Sequence, residues 1–141
     1  DTMKLWNVKT GAEVRKLDNA GDVLCLSFSP DGQTVAAGDW AGEVKLWNVA
    51  TGERLLLRGH TTQVWGLAFS PDGQRLATSS GDQTVRLWNL VSGELVAIFS
   101  AENPLSACAV LPGGRAIVAG DQAGLIHVFC PEAIDGFAES S

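Results

Sequence analysis

The chain has 141 residues, 45% of them apolar and 18% charged, with a formal net charge of −6. That is a one-domain length with enough apolar surface for a core. The acidic balance argues against a nucleic-acid groove, which needs clustered Lys and Arg, and against an anionic membrane surface; no apolar run is long enough for a transmembrane helix.

Taken in chain order, the residues decode into short strands and turns. TMKLWNV opens the chain as a strand, KTGA turns it, and EVRKL follows as a second strand. VLCLSFS then runs into the tight turn SPDG, where Pro and Gly favour an antiparallel reversal. QTVAAG, a small polar loop, EVKLWNV, the turn ATGE and RLLLRG complete a set of four strands. The next set repeats the order with VWGLAFS, SPDG, QRLATS, TVRLWNL, VSGE and ELVAIFS. The remainder to residue 130 supplies the first three strands of another set, so thirteen strands are expected in all. No stretch has a useful helical period.

The period is 41 residues: Trp6, Trp47, Trp88 and Phe129 keep that step, as do Pro30, Pro71 and Pro112. Residues 20–60 slide onto 61–101 without a gap and with 15 identities. The first strand of each set is nearly continuously apolar, as in a sheet covered on both faces. Four-stranded sheets of this length, stacked radially around an axis, make an all-β propeller. The repeats fall near 1–19, 20–60, 61–101 and 102–130, and a polar tail follows at 131–141.

GHTTQVWGLAFSPDG, ATSSGDQTVRLWN and the three Trp-Asn pairs resemble the WD-repeat family, with Asn where Asp is commoner. The resemblance covers residues 1 to about 130. It implies a propeller of four-stranded blades, here about three of them in an incomplete ring, because rings use about four to eight. The chain begins in mid-repeat, without an initiator Met, so it is expected to be a piece of a longer propeller. The alternative is a unit that several copies complete.

His60, Thr78 and Asp82 have the residue types of a catalytic relay. No nucleophile elbow accompanies them. The resemblance instead implies a hydrogen-bonded clasp in which Asp82 accepts from His60, and polarity passes through Thr78 to the indole of Trp88. The corresponding positions are Asn19, Ala37, Ala41 and Trp47 in the preceding copy, and Ala101, Ala119, Ala123 and Phe129 in the following one. The blade of residues 64–99 is therefore expected to be the firmest. Those two copies share another loop, AAGDWAGEV and VAGDQAGLI, in which Asp39 and Asp121 are expected to accept turn N–H groups. One carboxylate per turn is too few for calcium. Cys25, Cys108 and Cys130 are widely spaced, which suits small buried hydrophobes in a reducing compartment better than disulfides or zinc.

Trp40 and Trp65 break the repeat. Their equivalents are Gly81 and Gln122 for Trp40, and Leu24 and Ser106 for Trp65. The family geometry places both indoles on one rim face, with Asp22, Gln63 and Pro104 beside them. Two neighbouring indoles anchor interfaces. The expected function is thus a non-enzymatic scaffold binding a protein or peptide at Trp40, Trp65, Asp22, Leu24, Gln63 and Gln122. No catalytic residue, metal or cofactor is expected, and the location is expected to be cytoplasmic. The alternative is a sensor or autoinhibitory domain of a larger signalling NTPase or protease, a context hinted at by AGDQAGLIHVF.

Overall fold

The computed structural model describes residues 2–18 and 21–130. Asn19 and the expected tail at 131–141 lie outside the described residues. Thirteen strands are found among the described residues, in four antiparallel sheets. β1 (Thr2–Trp6) pairs with β2 (Glu13–Asp18). β3 (Val23–Phe28), β4 (Thr34–Asp39), β5 (Val44–Asn48) and β6 (Arg54–Leu57) form the second sheet in chain order. β7 (Val64–Phe69), β8 (Arg75–Ser80), β9 (Thr84–Asn89) and β10 (Leu95–Ser100) form the third. β11 (Leu105–Val110), β12 (Ile117–Asp121) and β13 (Ile126–Phe129) form the fourth.

Repeated residues build repeated turns. After the third strands of the first three repeats an asparagine side chain accepts two backbone N–H groups: Asn7 from Lys9 and Thr10, Asn48 from Ala50 and Thr51, Asn89 from Val91 and Ser92. The glycines that follow, Gly11, Gly52 and Gly93, take φ of 70°, 77° and 75°, where a Cβ would be strained. In each SPDG turn the aspartate locks the reversal. Asp31 accepts from the Ser29 hydroxyl at 2.6 Å and the Gln33 N–H at 3.0 Å; Asp72 does the same with Ser70 and Gln74.

The core lies between consecutive sheets, and successive strand residues serve opposite seams. Ala36, Val44, Leu46 and Leu57 of the second sheet meet Val64, Leu76 and Trp88 of the third. Ala77, Val85 and Leu87 point the other way and meet Leu105, Ile117 and Ala119 of the fourth. Val35, Ala37 and Trp47 meet Leu17 of the first sheet.

The covering is uneven. Leu67 and Phe69 on β7 pack against the seam, whereas their repeat equivalents Leu26 and Phe28 on β3 are 57% and 55% exposed. The reason is the first sheet, which has two strands among the described residues and leaves an apolar groove lined by Met3, Leu5, Leu17, Leu26 and Phe28. Trp6, the only repeat-register tryptophan left exposed, lies on that same short sheet with Lys4 Nζ 5.9 Å from its ring.

Candidate functional site

The connection between β6 and β7 carries His60, and the turn between β8 and β9 carries Asp82. His60 Nδ1 lies 2.8 Å from Asp82 Oδ2, and its Nε2 lies 2.7 Å from Thr78 Oγ1. The Trp88 indole donates to the same Thr78 oxygen at 3.0 Å. One direction of donation satisfies the whole chain: the indole donates to Thr78, Thr78 donates to Nε2, and Nδ1–H donates to Asp82. That direction requires a neutral imidazole. Burial pushes the His60 pKa below its ordinary value, against the hydrogen bond and charge of Asp82, and the charge of Arg86 lowers it further. Burial opposes ionisation of Asp82, but hydrogen bonds from Thr84 and His60 outweigh it and hold its carboxyl below the usual range. Asp82 also accepts the Thr61 N–H at 3.1 Å, which ties the incoming connection to the turn. Gly59 lies close beside this set, and a Cβ there would displace the end of the Arg86 guanidinium.

The flanking sheets use other residues at other positions. Asp39 accepts the N–H groups of Ala41 and Glu43, and Asp121 those of Ala123 and Leu125. Each also binds a base six residues on. Lys45 Nζ lies 2.9 Å from Asp39 Oδ2 and 3.0 Å from Glu43 Oε2, with its side chain buried. His127 Nε2 lies 2.9 Å from Asp121 Oδ2, which also accepts from Asn103 Nδ2 at 3.2 Å. Burial works against the Lys45 charge, but the hydrogen bonds to Asp39 and Glu43 outweigh it and raise the pKa. The hydrogen bond from His127 leads in holding the Asp121 carboxyl down at about 2, against its desolvation. The turn role expected for Asp39 and Asp121 is therefore half of what they do. Their basic partners escaped sequence reading, although the 41-residue step from Lys45 to Arg86 to His127 was a usable signal.

The rim is built by a backbone contact that recurs three times. Trp40 N donates to Asp22 O at 2.9 Å, Gly81 N to Gln63 O at 3.0 Å, and Gln122 N to Pro104 O at 2.9 Å. Beside each contact, the first strand loses register by one residue, between Val23 and Cys25, Val64 and Gly66, and Leu105 and Ala107. The residues left out of the ladder are Leu24, Trp65 and Ser106. A bulge of this kind re-aims a side chain. Trp65 thereby reaches Trp40 of the neighbouring sheet, with ring centroids 6.1 Å apart and planes at 78°. Trp40 is 54% exposed, and Trp65 is half-buried. A Cβ at Gly81 would crowd Gln63 Oε1 at 2.9 Å and Thr62 Oγ1 at 3.0 Å, while Trp65 Nε1 would stand at an ordinary contact distance of 3.6 Å. Asp22 and Gln122 are exposed, whereas Leu24, Gln63 and Pro104 are half-buried.

The family model for the WD domain, G-beta repeat, matches residues 11–48 and 53–89. The chain belongs to the WD-repeat family. Each matched WD repeat takes the last strand of one sheet and the first three of the next, β2–β5 and then β6–β9. The fold is similar to the crystal structure of the Myceliophteria thermophila Cps50 (Swd1) β-propeller domain, with a TM-score of 0.78 and 22% identity. That match covers 84% of this chain and 38% of the other, so the WD-repeat segment spans well under half of that chain's length. No curated protein matches the sequence. The sheets are the blades of an incomplete propeller ring, two of them four-stranded among the described residues.

Proposed function

We propose that this WD-repeat chain is a non-enzymatic interaction module that holds a partner protein or peptide on the rim around Trp40 and Trp65. The observation that carries the reading is the exposed, edge-to-face indole pair, made from two positions where the other repeats place smaller residues. Such an aromatic pair offers contact area with little loss of side-chain freedom, as interface anchors do. The relay-like residues support the same reading. Thr78 is fully buried and its oxygen is already engaged by His60 and Trp88, so it offers no accessible nucleophile. Replacing Trp40 and Trp65 together with Ala should abolish peptide capture by the immobilised chain while leaving the melting temperature within a few degrees of wild type. Equal capture by the double variant would refute the rim reading; a collapse of stability with no separable binding defect would refute it too.

A further inference from the structure

Resting on that rim reading, we infer that the partner presents a basic segment, with an arginine or lysine side chain set against the Trp40 indole and balanced by Asp22. Three observations converge. The ring of Trp40 is half open to solvent and meets Trp65 at 78°, so the two indoles form a corner and not a flat stack. Aromatic faces carry negative electrostatic potential and attract cations. Lys4 over Trp6 makes that contact elsewhere in the same chain.

The local charge has the matching sign. Of the three repeated backbone contacts on the rim, only that of Trp40 brings a carboxylate residue, Asp22, and Asp22 is exposed. Of the cations of the same blade, Lys45 is buried between Asp39 and Glu43, Arg58 lies 3.5 Å from Glu43, and Arg54 pairs with Trp47 at the end of β5 away from the Trp40 turn. No cation stands among the six residues that line the lip, Asp22, Leu24, Trp40, Gln63, Trp65 and Gln122. The chain as a whole carries −6, so an approaching basic segment is attracted before contact and an acidic one is repelled. The bulge at Trp65 is the device that completes the corner, because it takes that residue out of the ladder and brings its indole to Trp40.

The test uses four nonapeptides that differ only at two central residues, arginine, lysine, glutamate or leucine, titrated by calorimetry against the 141-residue chain. The arginine and lysine peptides should bind. Trp40→Ala and Asp22→Asn should each weaken them by about fivefold, while a remote acid variant, Glu94→Gln, leaves them unchanged. Melting curves should show all three variants folded. Basic-peptide binding that survives both rim substitutions would mean diffuse attraction and overturn the inference. Preferential binding of the leucine or glutamate peptide, lost in Trp40→Ala, would overturn it while leaving the rim reading intact. If no peptide bound in a Trp40-dependent way, the inference and the rim reading would fall together.

Discussion

The third blade and its neighbours solve one problem with two chemistries. Each must tie the turn after its second strand to the rest of the blade. The third blade does so with a neutral chain through His60, Thr78 and Trp88, ending on Asp82. The flanking blades place the acid earlier, at Asp39 and Asp121, and oppose it with Lys45 and His127. The exchange is concerted. Where the neutral clasp has Thr78 and Asp82, the flanks have alanines; where the flanks have their aspartate, the third blade has Ser80. Arg86 retains the basic position there without the acid, and its buried Nε has no hydrogen-bond partner among the described residues. The residues of each clasp thus substitute as a set, and the one basic position that did not change with the rest, Arg86, is where a buried group is left unpaired.

The comparison can be broken at either clasp. Asp39→Ala should have the largest effect, about 3 kcal/mol in chemical denaturation, because it strands the buried Lys45 ammonium with Glu43 alone. Adding Lys45→Met should recover much of that loss; no recovery would mean the aspartate matters for its turn bonds and not for the ion pair. His60→Ala should cost about 1–3 kcal/mol, since Thr78 and Asp82 each lose a partner. Rim binding should persist, and a loss of binding in a still-folded His60 variant would contradict the separation of clasp and rim.

Acid sharpens the contrast. The unfolded histidine binds a proton near pH 6.5, while burial keeps folded His60 neutral to lower pH. Its contribution to stability is therefore complete above about pH 6.5 and is lost as the pH falls through the depressed folded value. Asp121 stays ionised down to about 2, so its contribution is lost only further into acid. Melting temperatures at pH 7 and pH 5 should drop more for wild type than for His60→Ala. The smallest effect concerns Gln83, at φ 72°, where the flanking blades have Gly42 and Gly124. Gln83→Gly should stabilise by up to about 1 kcal/mol, offset in part by the lost bond to Glu102 O, as read from the denaturation midpoint.

Much of the architecture was legible because it rests on local chemistry repeated at a fixed step. Asn48, Gly52 and the SPDG aspartates act within a few residues of themselves, and their 41-residue spacing marks where each strand must end. The four members of the neutral clasp were readable for the same reason, through their resemblance to a known pattern. The clasps of the flanking blades were not. Lys45 and His127 look like ordinary alternating strand residues, and only the folded chain shows the one buried and the other half-buried against an aspartate.

By itself, the sequence determined the strand order, the turns and the two tryptophans that depart from the repeat. Tertiary structure alone decided what those tryptophans form. The bulge at Trp65 sets an indole of one blade edge-on to an indole of the next, a relation across two blades. It also decided that Leu26 and Phe28 stay exposed while Leu67 and Phe69 are covered. The residue types are the same; burial depends on whether a neighbouring sheet brings enough strands to cover them.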